Sequence, residues 1–335
     1  MLYLENNALE FRFPELHANA GVKIDFQRTL RLPDDGEVHY LPPGFGSFPL
    51  RHIDDFDLGQ SNHLKKRGGV IMPMFQADAL WLNFETLNVT GEADYPIAIK
   101  IGTGKVCAIS GDAWTSNLNR SPQDYIVIPD QPWIDGYNVG RNKVKQFVAA
   151  PLGKGYTVEE QITNDASNGG IQIQVFPMKR EVYDQLNKRS YSNFDHMDEM
   201  VLCCLEPQLD MGLAAGGEMR QEIYDDSHAF EAWDQRNTHR CFVTIANAEQ
   251  WMSMTGEEPP MQTISASEYT KAGLPWYDYY GADKAVIEGA KKLSNIKSVN
   301  ALTQKNDGNV WQIDPLGKSA NVVNLGRRAV SGGEW

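Results

Sequence analysis

Apolar and polar residues alternate with a period of two along much of this chain, which restricts it to folds built from half-buried strands. The clearest run is Val22-Lys23-Ile24-Asp25-Phe26-Gln27-Arg28-Thr29-Leu30-Arg31-Leu32, in which Val22, Ile24, Phe26, Leu30 and Leu32 share one face. A helix would scatter those side chains around its axis, whereas a pleated strand lines them up. Arg28 falls on the same apolar face. Its guanidinium must reach a carboxylate or carbonyls, or run out to the sheet margin. Pro33-Asp34-Asp35-Gly36 then reads as a turn, because proline presets φ, aspartate bonds the local backbone and glycine accepts positive φ.

The same pattern recurs in Leu9–Phe13, Leu80–Phe84, Ile171–Val175 and Cys241–Ile245. Ile97–Ile101 and Lys105–Ile109 flank Gly102-Thr103-Gly104, a spacing that predicts a hairpin. Roughly ten such runs precede residue 250, and strands this numerous with short turns predict a mainly β, antiparallel sandwich or barrel-like body. Helical signals are few and come mostly late, giving an α+β balance. Ser265 to Ala272 carries a capping box with Gly273 as its stop, Gly281 to Leu293 is a second candidate, and Glu181 to Lys188 a third. The change of character near Gly256-Glu257-Glu258-Pro259-Pro260 divides the chain into a β-rich body, 1–255, and a helical and short-strand appendage packed on it, 256–335.

The chain has 335 residues and a net charge of -13, with a pI near 5.0. At long range that charge repels a nucleic-acid duplex or an anionic membrane surface, and Lys65-Lys66-Arg67 and Lys179-Arg180 are too short to reverse it. No nucleic-acid partner is expected. The opening MLYLENNALEFRF has neither the cationic start nor the apolar stretch of a secretory signal, and no window approaches the ~20 apolar residues of a membrane span. A cytoplasmic protein without membrane insertion is the expectation. Four cysteines, Cys107, Cys203, Cys204 and Cys241, form no C-x-x-C pair and read as free thiols of a reducing compartment.

Gly102-Thr103-Gly104-Lys105 has the look of a phosphate loop, but Val106 continues into a second strand where that loop requires a helix. The nucleophile elbow, the zincin helix, the dinucleotide fingerprint and the calcium loop are all missing from the sequence. No catalytic residue and no cofactor is therefore assigned. Oxygen and imidazole groups do gather at Asp195, His196, Asp198, Glu199, Asp225, Asp226, His228, Asp234 and His239. Of these, Asp195, His196, Asp225, Asp226 and His228 are candidate metal ligands, although aspartates at such positions also make turns and caps. Trp276-Tyr277-Asp278-Tyr279-Tyr280 is denser in aromatics than a solvated loop, and the indole of Trp335 in its glycine-rich surroundings needs a pocket. Trp276, Tyr277, Tyr279, Tyr280 and Trp335 are the candidates for self-association.

The strings QPWIDG, QFVAAPLGKGYTVEEQ, GGIQIQVFPMK, GGEMRQEIYDD and GLPWYDYYGADKAVIEGAKKL lie between Asp124 and Leu293, with weaker counterparts in RTLRLPDDG and RGGVIMPMFQADALW. Together they resemble an uncharacterised family of soluble, mostly bacterial proteins. That resemblance implies no activity, cofactor or site residue.

These readings converge on a non-catalytic protein that works through its surface, assembling with its own copies into a ring, tube or filament so that strand edges are covered. The alternative is a β-sandwich enzyme or ligand-binding protein that holds a metal or a sugar in a loop-lined cleft.

Overall fold

Residues 1–57, 63–87, 92–187, 211–261, 263–279, 281, 284–305 and 321–325 are described in a computed structural model. Leu2–Glu5 (β1) and Ala8–Arg12 (β2) form a hairpin whose two turn residues, Asn6 and Asn7, both take positive φ, at 49° and 59°. Asparagine tolerates that conformation, and a turn with two left-handed residues matches the twist of its strands. Gly21–Thr29 (β3) is the long alternating run, with Val22, Ile24 and Phe26 fully buried and Lys23, Asp25 and Gln27 half-exposed. Each such apolar side chain stabilises the fold by roughly 1.5–3 kcal/mol on burial. Arg28 takes the first of its expected routes: its guanidinium donates to the Met261 carbonyl and lies 6.0 Å from the Phe48 ring.

The remaining main strands are Val70–Pro73 (β4), Ala79–Thr86 (β5), Ile97–Thr103 (β6), Ile126–Ile128 (β7), Gly136–Gly140 (β8), Lys143–Pro151 (β9), Ile171–Pro177 (β10), Met211–Arg220 (β11) and His239–Ala246 (β12). One limb runs β1-β2-β3-β5-β9-β11, antiparallel throughout, with β8 alongside the start of β9. The other runs β7-β6-β10-β12-β4, antiparallel except that β4 lies parallel to β12. Among the described residues the limbs meet at the strand pair Met211 and Ile245, and one continuous hydrophobic cluster draws on both. Among the described residues strand accounts for 39% and helix for 18%, which makes this a mainly antiparallel α+β fold. Among the described residues the pairings do not close into a barrel.

Seven α-helices are present among the described residues, among them His63–Arg67 (α1), Val158–Thr163 (α2), Ala248–Thr255 (α3) and Ala266–Lys271 (α4). The last is the capping-box helix read from the sequence, with Ser265 accepting from the Glu268 amide and Gly273 at φ 72° beyond its end. Thr157 with Glu160 and Asn247 with Gln250 cap α2 and α3 in the same way. The helix expected over 281–293 does not form. Residues 284–290 instead make an extended strap, with the Asp225 amide donating to Ala285 and the Ile287 amide to Ile223, and only Lys291–Ser294 turns helical. Glycine explains this: a Cβ at Gly289 would come 2.2 Å from the Gly140 Cα, so the strap lies against β8 where no side chain fits. From the region beyond 255, Tyr277 pairs with Leu41, and Ala266, Tyr269, Trp276 and Leu293 join the central cluster.

Candidate functional site

A cleft of about 620 Å³ opens between the loops 109–112 and 120–123 on one side and the strap with the first residues of the Lys291–Ser294 helix on the other. Its volume lies in the range of small-molecule sites. The floor is fixed by Gln123, which donates to the carbonyls of Tyr125 and Tyr224 (2.9 and 3.0 Å) and accepts from the Asp226 amide (3.0 Å). One side chain thus clips two chain segments about a hundred residues apart in sequence.

Asp226 is the hub beneath that floor. Its carboxylate accepts from the Tyr125 hydroxyl (2.7 Å), the Trp233 indole N–H (2.8 Å), Arg120 Nη1 (3.0 Å) and the His228 amide (2.9 Å). A carboxylate buried to 2% exposure survives there because ionised and neutral donors satisfy it from every side. Burial pushes the Tyr125 phenol up, and its bond to Asp226 adds to the shift, so it remains a donor. Arg120 also donates to the His228 carbonyl (2.8 Å) and the Asp226 carbonyl (2.6 Å), which locks its fork while one edge stays open to the cleft. Asp225 stands 3.8 Å from that guanidinium, exposed on the cleft wall.

The strap is held by the Asn138 side chain, which donates to the Glu288 carbonyl at 3.2 Å, and by ion pairs of Lys284 with Asp130 (2.7 Å) and Lys292 with Asp112 (2.6 Å). Arg120, Asp225, Asp112, Lys292, Ser110 and Asn138 thereby ring an apolar floor with donors and acceptors of both signs. Such a lining suits a ligand rich in hydroxyl groups, which offers both to each partner.

Of the candidate metal ligands, Asp225 reaches this cleft. Asp226 lies under it with its lone pairs taken by four donors, and the His228 ring packs edge-on against Trp233 at 5.6 Å. Asp234 makes a turn by accepting from the Arg236 and Asn237 amides, and His239 stacks on Phe13 at 4.8 Å with its pKa lowered by burial. Asp195, His196, Asp198 and Glu199 lie outside the described residues. Among the described residues, no group of three His, Cys, Asp or Glu side chains is placed to hold a metal ion. Arg120, Gln123 and Asn138 were not legible as site residues, since each is one polar residue in a loop or strand whose partner lies 101 to 150 positions away.

Of the aromatic candidates, Trp276 faces inward. Trp276 is 2% exposed, sits edge-on to Tyr269 at 5.8 Å and donates its indole N–H to Thr270 (3.2 Å). Tyr277 and Tyr279 are half-buried, the latter edge-on to Trp133 at 5.0 Å. An indole with almost no exposed area has little to give a partner, so Trp276 acts in this chain's own core. Tyr280 and Trp335 lie outside the described residues.

No protein-family model, curated protein or solved structure matches this chain. Among the described residues no helix is long and apolar enough to cross a membrane.

Proposed function

We propose that this protein works by binding, holding a small hydroxyl-rich ligand such as a sugar in the cleft between the Arg120 loop and the strap. The observation that carries this reading is the cleft itself: about 620 Å³, ringed by charged and amide side chains of both signs and rooted in the buried Asp226 hub. Saturation-transfer NMR with a panel of neutral mono- and disaccharides tests it. At least one sugar gives transfer, and Asp225→Asn weakens that binding about tenfold, the loss of one charge-assisted hydrogen bond. Absence of transfer from every sugar at millimolar concentration, or binding indifferent to Asp225→Asn, overturns it.

A second observation favours self-assembly as well. β1 pairs with β2 on one side, and Leu2 and Tyr3 on it are 36% and 48% exposed. An exposed, apolar edge strand is a template for another copy of the same chain, and the assembly is read as a ring, tube or filament. Light scattering coupled to size exclusion decides it: a particle of 37.6 kDa at every micromolar concentration sinks self-assembly, while a larger one that Tyr3→Lys dissociates supports it. A cytoplasmic location belongs to the same reading, and the free, buried thiols of Cys107 and Cys241 support it.

A further inference from the structure

A second recess lies on the outer face of β6, β10 and β12, far in chemistry from the cleft. It encloses about 390 Å³, and its lining includes three cations, Arg67, Lys105 and Arg240, with no acidic residue. In a chain of net charge -13 that concentration of one sign runs against composition.

The floor is a cross-strand row in which Gly102, Gln172 and Phe242 stand side by side. Gly102 has no side chain, and the indole of Trp114 occupies the space: a Cβ there would fall 2.6 Å from the ring. Arg240 is two residues from Phe242 on the same strand face, and its guanidinium sits 4.8 Å from that ring centroid. Arg67, at the end of α1, is held by the Asn168 carbonyl at 2.6 Å, and burial lowers its pKa from the ordinary arginine value. Lys105 has an exposed partner in Asp165 at 3.3 Å, a solvated pairing that an incoming anion can replace.

The wall that presents Lys105 is built, not incidental. Glu159 on α2 is 1% exposed and accepts from the Lys105 amide (3.0 Å), the Asn168 side chain (3.1 Å) and the Gly169 amide (2.9 Å). Its carboxylate thus sits behind the recess, bound by backbone and amide donors, and its charge offsets part of the desolvation of Arg67. Gly104, at φ 55°, permits the tight approach, since a Cβ there would meet the Glu159 carboxylate at 2.0 Å.

We infer that this groove is a binding site for a small oxyanion ligand, phosphate- or carboxylate-bearing, with a flat ring that packs against Trp114 and Phe242. Guanidinium forks at Arg67 and Arg240 match oxyanion geometry, and the aromatic faces supply apolar contact and exclude water. The hairpin turn that imitates a phosphate loop in sequence would then contribute one lysine to an anion site of different architecture.

Calorimetric titration of the full chain with adenosine monophosphate and with benzoate, against adenosine and benzamide, tests this. At least one charged probe binds while its uncharged counterpart does not, and added salt weakens the binding. Arg240→Ala, at an exposed position where truncation leaves the core packing intact, lowers the affinity about tenfold, and Lys105→Ala lowers it measurably. Asp225→Asn in the cleft leaves it unchanged, which separates this site from the sugar reading. Failure of both charged probes to bind at millimolar concentration, or binding that survives Arg240→Ala and Lys105→Ala undiminished, overturns the inference.

Discussion

Replacing Asp226 with alanine is the sharpest test of how the cleft is held. The substitution removes the shared acceptor of Tyr125, Trp233, Arg120 and the His228 amide, all within 2.7–3.0 Å. Arg120 can rehydrate, because a third of its side chain is exposed, but Tyr125 and Trp233 are buried to 0% and 2% and cannot. Two stranded buried donors at about 1–3 kcal/mol each, partly relieved by relaxation, give an expected loss of about 3–5 kcal/mol. With a urea m-value of about 3 kcal/mol/M, that moves the unfolding midpoint down by about 1 M or more. Asp225→Ala is the internal control: its carboxylate is exposed and 3.8 Å from Arg120, so the change costs under about 0.5 kcal/mol. The two neighbours therefore differ several-fold in effect despite identical chemistry. A shift at Asp226 as small as that at Asp225 would refute the claim that buried donors converge on this carboxylate.

Burial has two further measurable outcomes. Asp135 is buried and Asp78 half-buried, and desolvation pushes both carboxyls up to about 7. Unfolded aspartate titrates near 3.9, so between about pH 4 and 7 the folded state holds protons that the unfolded chain has lost, and stability falls as pH rises through that window. Urea midpoints across it should show the fall, and Asp135→Asn should flatten it; an unchanged slope in that variant excludes Asp135 as the source. Gly289→Ala pushes a methyl group to 2.2 Å from Gly140 Cα, so it should lift the strap at a cost of about 1–3 kcal/mol and speed amide exchange at Ile287 and Ala290. Wild-type exchange at those two amides would show that the strap is not seated by this contact.

What was legible in the sequence was what neighbours along the chain decide together. The alternation from Val22 to Leu32 places its apolar residues inside because pleating alone sets that geometry, and Ser265 with Glu268 caps a helix because both partners lie within one turn. The 281–293 segment departs from its expected helix for the opposite reason. Its charge placement favours a helix, but Gly289 against Gly140 and the bonds to Ile223 and Asp225 hold the segment extended, and those partners are dozens to more than a hundred positions away.

Distance along the chain also explains why Asp226 read as a metal ligand and Lys105 as part of a failed phosphate loop. A carboxylate's role depends on which donors surround it, and here Arg120 and Tyr125 arrive from 106 and 101 positions away to fill its lone pairs. A lysine's role depends on which other cations share its recess. Arg67 ends α1, Lys105 lies in the turn after β6 and Arg240 is on β12, and they share one groove because β6, β10 and β12 lie side by side and Arg67 bonds the Asn168 carbonyl before β10. Composition averages such charges into a net of -13, so a local reversal of sign is invisible until strand order is known. Function in this chain is therefore written in its long-range pairings, and the substitutions most informative about it are those that alter one partner while leaving the local strand or helix pattern intact.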